Sequence, residues 1–348
     1  MIYGVFNAMI TQVHILLTYM CTMSCDHCFV CSSPYSEGTF TPGQITALLD
    51  QTDALGTVER IYFEGGEPFL FYPVLVNGIR QARSRGYSVG IVTNGYFATS
   101  EENARCFLEP FPGLGLSDLS VSDDVFHYEN REVNAARCAF QTATDMGLPA
   151  TILALDPGGS SPETRGSPRE EKKGVITGGG IMFRGRASGK LSQYGDACDW
   201  QKFTTCPYED LKEPSRLHVD AFGNLQICQG ISLGNIWEHP LEELVRNYSP
   251  SSHTICGPIL KGGRRNWPGN WALHRQRLVS QMPAISATLH GSPPGKGSPR
   301  SSSRHRCIAT SECGCPGVGV MLGRSLCPGT KIANRMSTRQ DDPGNYRY

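Results

Sequence analysis

Three cysteines stand at C-x3-C-x2-C spacing in the segment Cys21-Thr22-Met23-Ser24-Cys25-Asp26-His27-Cys28. They follow residues 13–19, an apolar run that is typical of a buried strand. Three thiolates at this spacing can hold three irons of a [4Fe–4S] cube and leave the fourth iron without a protein ligand. A structural zinc site requires four ligands, and Cys31 is the only nearby candidate for the fourth. An iron with an open position can bind a substrate or cofactor, so the spacing indicates catalysis.

A glycine-rich segment, Glu64-Gly65-Gly66-Glu67-Pro68, follows a predicted strand about 40 residues beyond the cysteines. The cysteine triplet and this segment together resemble the radical SAM enzymes, and the resemblance covers roughly residues 10–250. In that family the backbone of a GGEP motif receives the amino group of S-adenosylmethionine (SAM). The resemblance implies that Cys21, Cys25 and Cys28 bind a [4Fe–4S] cluster. It also implies that SAM is contacted by Gly65, Gly66, Glu67 and Pro68.

Further SAM contacts are implied by resemblance to the family at other strand ends. His27 fills the position before the third cysteine, where the family usually carries an aromatic residue near the adenine. The remaining contacts that the resemblance assigns are Asn94, Ser122 and Asp123. Two alternatives stay open nearby: Asp124 caps the next helix and His127 is a surface histidine, or both belong to the site. Arg184 and Arg186 are predicted either to meet the SAM carboxylate or to form surface ion pairs.

The resemblance also implies a reaction. One electron, from a donor such as a flavodoxin or ferredoxin, cleaves SAM reductively and yields a 5′-deoxyadenosyl radical that abstracts hydrogen from a substrate. Anaerobic conditions are implied by the low-potential cluster. By analogy, the substrate is a peptide or a protein. The alternatives are a small molecule in cofactor biosynthesis, or no substrate at all if the chain is an inactive, truncated relative.

The composition bounds the class of protein. The chain has 348 residues with 39% hydrophobic content, which supports a packed core in one large domain or in one medium and one small domain. No apolar stretch of about 18 residues predicts a membrane span, and the N-terminus lacks the pattern of a signal peptide. Fourteen clustered cysteines fit metal binding in a reducing cytoplasm better than a disulfide scaffold. We therefore expect a cytoplasmic protein without membrane partners.

Strand and helix signals alternate along the first half and predict an α/β fold, a partial (β/α)6 TIM-like barrel. Thr41, Ser100 and the glycines after helices supply the expected caps. Four of the motif residues, Cys21, Glu67, Asn94 and Asp123, fall just after predicted strands, where barrels place their reactive groups. The predicted strands are residues 13–19, 58–63, 87–93, 116–122, 150–155 and 181–184. One predicted helix begins at residue 42, and three further helices are predicted at residues 73–85, 100–108 and 129–146.

The second part of the chain predicts a smaller metal-binding unit. We divide the chain into a barrel at residues 1–190, with a flexible insertion at 157–180, and an extension at residues 191–262. Residues 217–227 alternate between apolar and polar around Phe222-Gly223-Asn224, which predicts a β-hairpin. Cysteines on both sides of it resemble the SPASM or Twitch extensions of the radical SAM family. The resemblance implies an auxiliary Fe–S cluster held by Cys206 and Cys228, with Cys198 as a weaker candidate.

The last part, residues 263–348, differs in composition from the rest. Residues 257–348 hold 14 Lys and Arg against 3 Asp and Glu, whereas residues 1–256 hold 18 against 29. A basic, Pro- and Ser-rich tail can indicate nucleic-acid binding, but we favour another origin, a shifted reading frame after about Gly263. One choice of synonymous codons turns residues 281–288 into Asp-Ala-Cys-His-Leu-Cys-Tyr. That reading supplies the C-x2-C pair that the extension lacks.

The frameshift hypothesis predicts the nucleotide sequence. We expect the coding DNA, read one frame over after codon 263, to encode a helical segment followed by Cys-x2-Cys. Sequencing the genomic DNA on both strands tests this prediction directly. Codons incompatible with the shifted reading would show that the basic tail is genuine.

Overall fold

Ten strands form one sheet in the part of the chain that the structure describes. The structure is a computed structural model that describes residues 10–130, 132–155, 170–172, 175–177, 181–192 and 209–261. The order of strands across the sheet is β10-β9-β8-β1-β2-β3-β4-β5-β7-β6. The strands are β1 (Gln12–Thr18), β2 (Arg60–Gly65), β3 (Ser88–Thr93), β4 (Asp118–Ser122), β5 (Ala150–Ala154), β6 (Glu170–Lys172), β7 (Val175–Thr177), β8 (Arg216–Asp220), β9 (Asn224–Cys228) and β10 (Ile231–Asn235).

The strands from β8 to β7 pair in parallel, and antiparallel strands lie at both edges of the sheet. The protein is therefore a mixed α/β fold with a large parallel sheet that does not close, consistent with the predicted partial barrel. Because the carboxyl ends of parallel strands share one edge, the segments after β1, β2, β3 and β4 meet there.

Helices follow the strands largely where the sequence predicts them. Thr41 caps the first helix in a full capping box with Gln44, and Ser100 caps the third by accepting a hydrogen bond from the Asn103 backbone N–H. In the described residues no helix has the length and apolarity that a membrane span requires. The α-helices are α1 (Pro42–Leu55), α2 (Tyr72–Ser84), α3 (Glu101–Leu108), α4 (Pro110–Leu114), α5 (Ala135–Asp145), α6 (Arg186–Lys190), α7 (Leu241–Asn247) and α8 (Cys256–Leu260).

The two faces of the sheet differ in chemistry. Alternate residues of the strands join the main apolar core together with the helices, as Val13, Ile15 and Leu17 of β1 do. The intervening positions face the inside of the curved sheet and are polar as well as apolar, and several are buried, including His14, Glu64, Ser120, His218 and Asp220. The inner face of the sheet therefore carries buried polar side chains that can bind a ligand or an ion.

The predicted strand at residues 181–184 is wrong. Ile181 and Phe183 are buried, but they pack with Ala187 and Leu191 in a separate small cluster, and the segment leads into α6. The strand that pairs with β5 is β7, inside the region predicted to be a flexible insertion. Burial of the run at 181–184 has produced a strand-like pattern without a strand, since apolar residues mark burial in either conformation.

The fifth helix is shorter than predicted at its N-terminal end. It begins at Ala135 rather than at residue 129, because the side chain of Asn134 accepts a hydrogen bond from the Arg137 backbone N–H and caps it there. Just before it, Asn130 Oδ1 accepts the backbone N–H groups of Glu132 and Val133 in a local turn. Two asparagines thus compete with helix formation over residues that otherwise look helical.

The predicted hairpin is present as β8 and β9, and it continues the barrel sheet because β8 pairs in parallel with β1. The buried carboxylate of Asp220 organises its turn by accepting the backbone N–H groups of Phe222 and Asn224. The same carboxylate accepts the hydroxyl of Tyr19 at 2.9 Å, two residues before Cys21. The hairpin therefore supports the start of the cysteine loop.

We expect Asp220→Ala to lower the free energy of unfolding by about 1–3 kcal/mol, because it leaves buried donors without their acceptor. Asp210→Ala is a matched control, since exposed Asp210 also accepts two backbone N–H groups, from Lys212 and Glu213. Urea denaturation of both variants in the same metal-free state measures the difference. Equal losses in the two variants would contradict the supporting role assigned to Asp220.

Candidate active site

The cysteine loop begins directly after β1 and presents three reduced thiols. Cys21 is buried, Cys25 and Cys28 are partly buried, and none of the three is in a disulfide. Backbone N–H groups point at two of the sulfurs: Met23 N lies 3.4 Å from Cys21 Sγ and Ser32 N lies 3.2 Å from Cys28 Sγ. Hydrogen bonds of this kind stabilise negative charge on sulfur and tune iron–sulfur clusters. The loop thus has the donors that a metal-bound thiolate needs.

The acidity of these thiols favours ligation over nucleophilic attack. Burial raises the pKa of the Cys21 thiol to about 12, and burial also raises the pKa of Cys28. A thiol with a raised pKa is a poor nucleophile at neutral pH, because the thiolate is the reactive form. A coordinated metal removes the proton outright. The three thiols therefore fit the donor set of a metal cluster.

Beside the three cysteines lies a strained residue. Cys31 has φ of 56°, and among the described residues it alone has positive φ without being glycine. Its backbone N–H reaches Cys28 O at 3.5 Å and closes a turn. Such conformations cost roughly 1–3 kcal/mol and persist where the surroundings impose them, often at functional sites. The turn ends the loop after Cys28.

The glycine motif after β2 lies against the start of the loop. Gly66 N donates to Thr18 O at 2.6 Å, and Glu67 N donates to Met20 O at 2.9 Å. A Cβ on Gly66 would lie 2.0 Å from Met20 O, and Gly65 has φ of 125°, where side chains are disfavoured. Both glycines are therefore required for the backbone of this motif to approach the cysteine loop.

Glu67 turns its side chain into the protein. Its buried carboxylate accepts three hydrogen bonds, from Phe69 N, Thr93 Oγ1 and Asn94 N. Burial raises the pKa of Glu67 to about 7, although these hydrogen bonds lower it. The next residue, Pro68, is buried and begins a short 3₁₀ helix, Pro68–Phe71. Glu67 thus ties the end of β2 to the end of β3.

Asn94 joins β3 to the cysteines. Its amide nitrogen Nδ2 lies 3.6 Å from Cys21 Sγ and 3.1 Å from Thr22 Oγ1. Its backbone carbonyl accepts the hydroxyl of Tyr128 at 2.7 Å. A residue predicted to contact SAM is therefore placed beside the first cysteine, and its amide is oriented by its neighbours.

A cluster of rings and one carboxylate connects the loop to the segment after β4. Asp124 Oδ1 accepts His127 Nδ1 at 2.9 Å, and Asp124 Oδ2 lies 3.8 Å from His27 Nε2. The His27 ring lies 4.7 Å from the ring of Phe126 and 4.9 Å from that of His127. Burial lowers the pKa of His27 to about 4, so its ring is neutral at pH 7. The structure places Asp124 and His127 beside His27, not at a helix cap or on the surface.

Asp123 and Ser122 end β4 beside this cluster. Asp123 is fully buried; its Oδ1 accepts a hydrogen bond from Asn134 Nδ2 at 3.0 Å, and its Oδ2 forms an ion pair with Arg137, whose Nε lies 3.0 Å away. It therefore fastens the start of α5 to the end of β4. Ser122 is half-buried and pairs with Leu153 of β5. The two residues lie at the same sheet edge as Asn94 and the cysteine loop.

Arg186 was predicted to meet a SAM carboxylate or a surface ion pair, and it instead holds the cysteine loop. Its guanidinium donates to Cys25 O at 2.5 Å and to Ser32 O at 2.6 Å, and its backbone N–H donates to Cys28 O. Gly185 has φ of 57°, and a Cβ there would lie 2.4 Å from Phe29 O. No residue type in the sequence signals this contact, because the partners of Arg186 are backbone carbonyls.

The proposed second cluster has one ligand within the described residues. Cys228 is buried, and its sulfur lies 3.0 Å from Arg184 Nη1, whose guanidinium stands over the ring of Phe29 at 5.3 Å. Arg184 is buried, so the predicted surface ion pair is wrong for it. Cys206 and Cys198 lie outside the described residues, as do residues 262–348.

Comparison with known proteins gives a family match over part of the chain. Residues 15–153 match the family model described as Radical SAM superfamily. Among curated proteins, "Putative peptide biosynthesis protein YydG" of Bacillus subtilis (strain 168) is 29% identical over 115 residues, 33% of this chain and 36% of that protein. The tungsten-containing aldehyde ferredoxin oxidoreductase cofactor-modifying protein of Pyrococcus furiosus is 30% identical over 110 residues, 31% of this chain and 29% of that protein. The chain thus matches about a third of the length of these curated relatives.

Among solved structures, SuiB of Streptococcus suis bound to precursor peptide SuiA is similar at 13% identity with a TM-score of 0.41. The similarity covers 73% of this chain and 71% of that chain.

The contacts of Arg186 predict how firmly the loop holds its metal. We expect Arg186→Met to weaken retention of iron about 10–100-fold, the loss typical of residues that orient metal ligands. The measurement is iron bound per chain after anaerobic reconstitution and competition with a chelator.

Arg105→Met is the control for that measurement, because Arg105 pairs only with Glu101 on the surface of α3 among the contacts described. Iron retention in Arg186→Met equal to that in Arg105→Met would show that the hydrogen bonds from Arg186 to the loop do not position the cysteines.

Proposed function

We propose that this chain, whose residues 15–153 match the radical SAM superfamily, is an enzyme that cleaves SAM reductively to modify a peptide or protein. Cys21, Cys25 and Cys28 would hold a [4Fe–4S] cluster. When bound, the cluster and SAM supply a 5′-deoxyadenosyl radical that abstracts hydrogen from the substrate. The protein's own task is to position the cofactors and to exclude water.

One observation carries this proposal: the three cysteines lie on a loop that is fastened at several strand ends. Gly66 and Glu67 hold it from β2, Asn94 from β3, and Arg186 from the segment before α6. A structural metal site needs only to be closed, whereas this loop stands at the edge of the sheet where barrels place reactive groups. The arrangement supports catalysis at that edge.

Each proposed SAM contact has a position that fits its role. The backbone of Gly65 and Gly66 is bare of side chains at the start of the loop. His27 offers a neutral ring, held among other rings, for the adenine. Asn94 and Ser122 lie at neighbouring strand ends. Glu67 and Asp123 would act on SAM through their neighbours, because the Glu67 carboxylate is bonded to Asn94 N and the Asp123 carboxylate is paired with Arg137.

Two candidate substrate classes are supported by the names of relatives. The printed name of the Bacillus subtilis relative, a peptide biosynthesis protein, supports a peptide substrate. The printed name of the Pyrococcus furiosus relative, a cofactor-modifying protein, supports a small molecule in cofactor biosynthesis as the second candidate. A flavodoxin or ferredoxin is the proposed electron donor, and an anaerobic cytoplasm is the proposed setting.

An auxiliary Fe–S cluster at Cys206 and Cys228 remains part of the proposal. Cys228 is buried, and its sulfur lies 3.0 Å from the guanidinium of Arg184, which places a cation beside the proposed ligand. If the shifted frame has removed its other ligands, the chain is an inactive, truncated relative, which is the third candidate.

We expect the reconstituted chain, given SAM and dithionite without oxygen, to release 5′-deoxyadenosine. Cys25→Ala is expected to bring the release to background, because it removes a cluster ligand. Cys31→Ala is the matched control: it changes a cysteine of the same loop that the proposal leaves outside the ligand set. The measurement is 5′-deoxyadenosine by liquid chromatography, with iron content determined on the same samples.

A cluster-loaded chain that forms no 5′-deoxyadenosine would contradict an active enzyme and favour the inactive relative. Loss of iron in Cys31→Ala as severe as in Cys25→Ala would contradict the proposed ligand set. A short peptide encoded next to the gene, added to the assay, should gain a modification that is detectable by mass. Modification of a small-molecule extract in place of that peptide would favour the cofactor-biosynthesis candidate.

A further inference from the structure

Three potential metal ligands meet on adjacent strands of the sheet. They are His14 of β1, Glu64 of β2 and His218 of β8, which stand on three adjacent strands. Each offers one ligand atom, and these atoms all lie within 4.8 Å of one another. The proposed cluster and SAM contacts involve none of the three side chains.

We propose that His14, Glu64 and His218 bind a single divalent transition-metal ion, with Zn²⁺ as the ion that fits their donors. Two imidazoles and one carboxylate are the ligand set of several catalytic zinc sites. Ligands at about 2.0–2.2 Å from a zinc ion lie roughly 3–3.5 Å from one another. His14 Nδ1 lies 3.2 Å from Glu64 Oε2, and His218 Nε2 lies 3.7 Å from Glu64 Oε1. Small side-chain movements would therefore complete the site.

The hydrogen bonding of His14 leaves a ligand atom facing the carboxylate. His14 Nε2 lies 3.4 Å from Gln12 Oε1, and His14 Nδ1 lies 3.2 Å from Glu64 Oε2. The tautomer that donates from Nε2 to Gln12 has a lone pair on Nδ1 that faces the carboxylate. Among the described residues His14 Nδ1 and Glu64 Oε1 have no hydrogen-bond partner, and both atoms are buried. A cation between the ring and the carboxylate would satisfy both atoms.

The burial of the other two residues suits a metal site. Glu64 and His218 are both buried, and His218 Nδ1 has no hydrogen-bond partner among the described residues. An ionised carboxylate and a neutral imidazole are the forms that bind metals.

The surroundings hold the ligands and limit repulsion. The ring of Tyr62 stacks on that of His14 at 4.8 Å, with 21° between the ring planes. Arg216 is the cation of this region that acts on Glu64, and its guanidinium is paired with Glu209 by two hydrogen bonds of 2.9 Å. The positive charge of Arg216 is therefore balanced, and Glu64 keeps its own charge for an ion.

Three protein donors leave at least one coordination position of a zinc ion open. That position can take water or an oxygen or nitrogen atom of a substrate. The inference does not depend on SAM cleavage, because none of the three side chains is among the proposed cluster ligands or SAM contacts.

The test uses the cluster-loaded chain, in which the cysteines of the loop are occupied by iron. It is equilibrated anaerobically with ZnCl₂ and desalted, and its zinc is then counted by mass spectrometry and examined by X-ray absorption. Nitrogen and oxygen ligands give distances of about 2.0–2.1 Å, whereas sulfur ligands give about 2.3 Å. We expect about one zinc per chain with nitrogen and oxygen ligands only.

We expect Glu64→Gln and His218→Gln to weaken the binding of this zinc at least about tenfold, since even indirect ligand changes have that effect. His239→Gln, at an exposed histidine, should leave it unchanged. If one ligand variant fails to fold, His14→Gln replaces it, with circular dichroism as the check. Zinc found only with sulfur ligands, or retained equally by Glu64→Gln, would overturn the proposal and leave an ion pair of His14 with Glu64.

Discussion

The buried carboxylate of Glu67 is the contact on which the rest of the site depends. The carboxylate lies at the end of β2 and accepts hydrogen bonds from backbone and side-chain donors at the end of β3. The backbone N–H of Glu67 donates to Met20 O in the cysteine loop. Glu67 therefore connects the cysteine loop, the end of β2 and the end of β3. Because it is buried among its donors, loss of this carboxylate would leave several polar groups unsatisfied at once. The position of Asn94 beside Cys21 follows from this arrangement.

The cysteine loop is held mainly through its backbone. Gly66, Glu67 and Arg186 donate hydrogen bonds to backbone carbonyls of the loop and of the end of β1, and Asn94 Nδ2 lies 3.6 Å from the sulfur of Cys21. Backbone contacts fix the course of the chain without occupying the thiols, so the sulfurs remain available as ligands. Support through the backbone explains why a loop with few apolar residues can still present its cysteines in a defined arrangement.

The sequence predicted those parts of the structure that depend on local chemistry. The cysteine spacing, the two glycines, the caps at Thr41 and Ser100 and the turn at Gly223 each depend on residues close along the chain. Reasoning from sequence missed what depends on distant partners. Arg186 binds carbonyls about 160 residues away, which no residue type reveals. Likewise β7 is three residues long, and the longer apolar run at 181–184 gave the stronger signal although it only fills a small core.

The pairing of β1 with β8 has a consequence for the order of folding. β1 is the first strand that the structure describes, yet one of its two neighbours comes about 200 residues later. During synthesis its second edge stays unpaired until almost the whole described chain has left the ribosome, and contacts so distant in sequence form slowly. An unpaired edge of this kind invites association with other chains. The cysteine loop that follows β1 therefore gains its final support last, only after β8 has been synthesised and has paired with β1.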